Sequence, residues 1–126
     1  MTALALTVAL ALLAALTALQ ILVASKFPLG RLVWGGHHEV LPPRLRIGSV
    51  ISVALYLVMA TLLLSRAAVI PGSESALVRV ATWVLFAYFT LGILTNAISR
   101  SRSERLTMTP VSFLLAATTL VIALER

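Results

Sequence analysis

An all-α integral membrane four-helix bundle is the architecture expected of this chain, and three features of the sequence argue for it. Of its 126 residues 60% are hydrophobic and only 11% charged, whereas about a quarter of the residues in soluble domains carry charge. The charges are also gathered, leaving uncharged stretches from Met1 to Ser25, Ile47 to Ser65, Val80 to Ser99 and Leu106 to Leu124. A helix needs about 20 mainly apolar residues to cross about 30 Å of hydrocarbon, so each stretch can supply one span. The spans fall at about 3–25, 47–65, 78–99 and 106–124 of a single transmembrane domain, 1–126. Third, the bases alternate between connectors. Lys26, Arg31, Arg44 and Arg46 lie in the first and Arg100, Arg102 and Arg105 in the third, against only Arg66 and Arg79 in the second. By the positive-inside rule the first and third connectors face the cytoplasm and both chain ends face out. The net charge of +6 is then used for orientation, and no nucleic acid partner is expected.

The first span ends in Val23-Ala24-Ser25, which looks like a small-residue cleavage site. No Lys or Arg precedes it and its apolar run exceeds a signal core, so a retained span is expected. It should stop before Pro28, because the residue preceding a proline is biased out of the helical region. Phe27 and Trp34 then lie near the cytoplasmic headgroups, Trp34 as an anchor, with Trp83 in the opposite belt. Pro42-Pro43 suits a helix start, where a missing donor costs least, and places Arg44 and Arg46 at the membrane surface with their stems free to snorkel. The second span follows with ten Ile, Leu or Val residues, each favouring insertion by about 0.3 to 0.6 kcal/mol. In the second connector Pro71-Gly72 reads as a turn and Ser73 as the cap of the third span. In the third, Ser101 and Glu104 have capping-box spacing. The fourth helix is therefore expected to begin before the membrane and to carry Pro110 as a kink, in preference to a start at Thr107 with Pro110 in the first turn.

Small and polar residues recur at helical spacing along the spans. The second carries Ser49, Ser52, Tyr56 and Ala60; the third Tyr88, Gly92, Asn96 and Ser99; the fourth Thr109, Ser112, Ala116, Thr119 and Ala123. The first carries a looser, drifting set of Thr7, Ala11, Ala14, Thr17, Gln20 and Ala24. In lipid, close backbone approach and interhelical hydrogen bonds drive association, so these stripes are expected to face inward, with Gln20, Tyr56 and Asn96 as polar contacts of the bundle. Several chemistries are excluded. Without cysteine there are no disulfides, thiolate metal sites or thiol relays. No Asp, Glu, Lys, Arg or His lies deep in a span, which argues against ion-coupled transport and against haem held by paired histidines. Small multidrug exporters, similar in length and span number, use an acidic residue in the first span that this chain lacks. No cofactor is expected.

The stretch WGGHHEVLPPRLR, Trp34 to Arg46, holds both histidines. His37, His38 and Glu39 could bind a divalent metal or move a proton, with Glu104 the one further carboxylate available from the other cytoplasmic connector. The simpler expectation is a solvated turn in which Gly35 and Gly36 supply backbone freedom. The pattern W-G-G-x-H-x-x-L-P-x-x-L-R at Trp34 to Arg46, with N-A-I-S-R-S-x-x-E-R at Asn96 to Arg105, resembles small bacterial four-span membrane proteins of unassigned function. The likeness would cover most of the chain and implies no activity or binding residues. The membrane enzymes of glutathione and eicosanoid metabolism share the size and the outward amino end, but RLRIGSVISVALY does not match their signature at the second span.

Three functions follow as expectations. The first is a non-enzymatic auxiliary or interaction component of the bacterial inner membrane, a setting to which nine arginines among ten bases also point. Its basic cytoplasmic loops would use Trp34, Arg44, Arg46, Arg100, Arg102 and Arg105 to contact anionic lipid or a membrane protein partner. The second is a passive channel or small-solute carrier acting as a homo-oligomer, with the polar stripes facing the path. The third is a membrane enzyme or metal-binding protein using His37, His38 and Glu39.

Overall fold

The structure is a computed structural model that describes residues 1–125. Four long helices run through it: α1 (Thr2–Ala24), α2 (Pro43–Arg66), α3 (Ala76–Ala97) and α4 (Arg102–Ala123), with two short 3-10 turns, Gly30–Leu32 and Trp34–Gly36, in the first connector. All four are long and apolar enough to cross a membrane, the pattern of a multi-pass membrane protein. α3 packs most closely on α4, α1 lies against both α2 and α4, and α2 and α3 are the least closely packed pair of neighbours, with α2 and α4 touching less still across the bundle. The seam between α2 and α3 is therefore the loose side of the bundle.

Local chemistry explains the helix ends. Pro43 opens α2 in its first turn, where its fixed torsion is already helical. α4 starts at Arg102 with the Ser101 hydroxyl accepting from the Glu104 backbone N–H at 3.3 Å, and it carries Pro110 inside its length. α3, however, is preceded by Ser75 and not Ser73. Gly72, at φ +110°, begins a turn closed by the Ser75 N–H on the Gly72 carbonyl at 2.9 Å. That turn encloses Ser73, so the helix begins beyond it.

Burial divides the bundle lengthwise. The main apolar core joins Ala5, Ala9 and Leu13 of α1 to Leu63 of α2, Leu85 and Phe89 of α3, and Leu115 and Ile122 of α4, most of them toward the end that holds the second connector. Beneath the first connector lies only a small cluster of Val23, Val33 and Leu41. On α1 the drifting set faces outward in its first half, since Thr7, Ala11 and Ala14 are exposed while Ala5, Ala9, Leu13 and Gln20 are buried. Thr7 and Ala11 lie two residues beyond the buried Ala5 and Ala9, and helical residues two apart do not share a face. Exposed hydroxyls on the outer surface bond within their own helices: Thr7 donates to Ala3 at 2.8 Å, Thr61 to Leu57 at 2.9 Å and Thr90 to Phe86 at 2.9 Å. Hydrocarbon requires such internal satisfaction.

Each end of the bundle is tied. At the second-connector end Arg66 is 5% exposed and donates to the Ala123 carbonyl at 3.2 Å and to that of Glu125. It thereby serves the orphan carbonyls at the C-terminus of α4, where a cation is also favoured by the helix dipole. At the other end the first and third connectors dock on one another, with the Ser101 hydroxyl donating to the Arg31 carbonyl at 2.6 Å.

Candidate functional site

Below the docked connectors the helices leave a chamber of about 410 Å³. Small residues and short hydrogen bonds frame it. Asn96 of α3 donates through Nδ2 to the Ser112 hydroxyl of α4 at 2.8 Å, and Gly92 of α3 faces the same serine, where an added Cβ would sit in ordinary contact 3.4 Å from Ser112 Oγ. Leu16 and Gln20 of α1, Ser52 and Tyr56 of α2, and Tyr88 and Phe89 of α3 complete the walls. Trp34 forms the roof: its indole N–H donates to Ser49 at 3.0 Å, and its ring lies over Gly48, where a Cβ would fall 2.9 Å from it. The chamber extends along the loose α2–α3 seam, where Tyr88 is 57% exposed and Leu91 is exposed beside it.

Glu104 joins the chamber to the connectors. It is only 8% exposed, and its carboxylate accepts from the Ser99 hydroxyl at 2.6 Å and the Gly35 backbone N–H at 3.2 Å. Only the serine half of the expected capping box is therefore made. The Ser101 N–H donates instead to the Ser99 hydroxyl at 3.2 Å, which frees the Glu104 carboxylate to hold the two connectors together. Gln20 is 7% exposed and its Oε1 has no hydrogen-bond partner.

Outward from Glu104 the chamber continues into a recess of about 500 Å³ that shares Trp34, Thr95 and Asn96 with it and adds His37, Ser99 and Arg100. Next to this lies a second recess of about 430 Å³ at the bundle end, lined by Arg31, Arg100, Arg102, His37 and Ser103.

The residues expected from the sequence sort accordingly. Gln20, Tyr56 and Asn96, from three helices, share the chamber with Trp34. Arg100 and Arg102 meet in the end recess. Arg105 is engaged locally, donating to the Ser99 carbonyl at 3.0 Å, while Arg44 is exposed and Arg46 half-buried in the first turn of α2, outside the chamber and both recesses. Among the described residues no group of three or more His, Asp or Glu side chains stands close enough to hold a metal ion, so His37, His38 and Glu39 are neighbours in sequence without forming such a set in space. His37 lines the recesses, and the Glu39 carbonyl accepts from the Gly30 N–H at 2.8 Å.

Sequence reasoning passed over Ser49, Ser99, Ser112 and Arg31 as site residues and treated Glu104 as a cap or spare ligand. Gly48-Ser49 carried a usable signal, a small residue beside a hydroxyl on the inward stripe, fit to receive a tryptophan. Arg31 carried none, because its position depends on two connectors docking. No protein family, no curated protein and no solved structure matches the chain.

Proposed function

We propose that this chain is a binding component of the bacterial inner membrane, with its basic connectors in the cytoplasm and both ends outside, that holds a small amphiphilic solute in the interhelical chamber. One observation carries the reading: Gln20, Tyr56 and Asn96 converge from three helices on a single chamber. Polar side chains placed on such a wall can orient a solute by hydrogen bonds. The rest of the wall is largely apolar and aromatic, the composition of small-molecule sites with a few converging polar groups. Access along the α2–α3 seam suits a solute that arrives from the bilayer. Toward the far end the chamber meets the apolar core around Leu13, Leu63 and Leu85, which favours a blind binding site over a pore through one copy.

Trp34 provides the assay. In a Trp83→Phe background the remaining indole reports on the chamber roof, and a single-chain amphiphile brominated in its tail is expected to quench it saturably. Ser52→Phe fills the chamber without removing a bond between helices, because Ser52 donates only to its own helix at Gly48, 3.0 Å away. The saturable quenching should vanish in that variant. Quenching that rises linearly with brominated amphiphile and ignores Ser52→Phe would defeat the proposal, as would rapid leakage of small polar solutes from sealed vesicles containing the protein.

A further inference from the structure

We infer that the recess at the basic end is a binding site for a phosphate-bearing anion, separate from the chamber and independent of what the chamber holds. Arg31 comes from the first connector and Arg100 and Arg102 from the third, yet all three line one recess of about 430 Å³ together with His37 and Ser103, and no carboxylate stands in its wall. Positive-inside orientation accounts for bases in these connectors. It does not account for their gathering, since like charges drawn together repel and a solvated loop would spread them.

Here the spreading is prevented. The Ser101 hydroxyl holds the Arg31 carbonyl at 2.6 Å and Glu104 holds the Gly35 N–H at 3.2 Å. Gly36, at φ +73°, lies so near Ser101 that a Cβ would come 2.2 Å from Ser101 Cβ. The backbones that carry the arginines are thus fixed against each other by contacts that involve none of the guanidinium groups. A repulsive cluster held by bonds that use none of its guanidinium groups is a preformed anion site, and guanidinium forks match phosphate oxygens in pairs. A dianionic phosphate monoester, accepting from several donors at once, fits it better than a monoanionic carboxylate. The phosphate can belong to a lipid headgroup or to a soluble ligand, and the experiment separates these.

The full chain is placed in phosphatidylcholine nanodiscs, which leave both faces open. Inorganic phosphate is titrated with detection by phosphorus NMR, and discs doped with phosphatidic acid are compared by lipid retention in native mass spectrometry. Saturable binding of phosphate or phosphatidic acid is expected, weakened about tenfold or more by Arg31→Gln with Arg100→Gln. The charge-matched pair Lys26→Gln with Arg44→Gln, both at exposed positions outside the recess, should stay within about twofold, because screened surface charges act weakly at a distance. Arg102→Gln alone provides a second reading, with a smaller loss. Binding of phosphate identifies a soluble source, and binding of phosphatidic acid alone identifies a lipid. Equal weakening by the two charge-matched pairs, or no saturable binding of either probe, would overturn the inference.

Discussion

Gly36 shows how much a single backbone position decides. Its torsion lies in the left-handed region and its Cα faces Ser101 with no room for a methyl group. Left-handed geometry costs an ordinary residue about 1 to 2 kcal/mol, and the clash comes on top of that. Gly36→Ala is therefore expected to destabilise the chain by about 2 kcal/mol or more, measured as a lower unfolding midpoint in detergent. Trp34 fluorescence should shift to the red as the roof lifts. An unchanged midpoint and spectrum would show that the connectors do not dock as described. The Gly35-Gly36 pair was legible in the sequence as backbone freedom, but its partner was not, since Ser101 lies far along the chain. Trp34 was legible as a boundary residue. It is 41% exposed, and its inward bond to Ser49 was missed despite the Gly48-Ser49 signal, because a tryptophan at a headgroup boundary usually needs only water or lipid for its N–H.

α4 is the element most fully readable from sequence. Ser101 three residues before Glu104 marked its start, and the helix runs through Pro110. Ser101→Ala should lower stability by about 1 kcal/mol through the lost cap and more through the lost bond to Arg31, visible as faster amide exchange in the first turn of α4. A midpoint equal to that of the parent would discount both bonds. The glutamate half of the motif was misread because a capping box counts only local donors, whereas here the carboxylate finds the Gly35 N–H and Ser99 hydroxyl. At the start of α3 the reverse held: Ser73 had the right chemistry for a cap, and a four-residue turn from Gly72 to Ser75 moved the helix past it. On α1 the stripe of small residues failed as a guide since small side chains also suit an exterior of hydrocarbon, where nothing selects against them.

For the whole molecule, four long apolar helices and the bundle architecture were legible because length, apolarity and charge spacing are properties of single segments. The division into a packed half and a chambered half was not, since a cavity depends on side chains from several helices failing to meet. Orientation is tested with reporter fusions: a reporter active only outside the cytoplasm should work when joined within 67–75 or after the carboxyl end, and stay silent within 27–42. The opposite pattern would invert the proposed topology. Arg66 bears on how the bundle closes. Were the helices to enter a bilayer in chain order, α2 would precede α4, and this guanidinium would first rest hydrated at the end of its flexible stem. It would shed that water once the carbonyls of α4 arrive, so its withdrawal would come late in assembly and an interrupted chain would keep a bare cation at that rim.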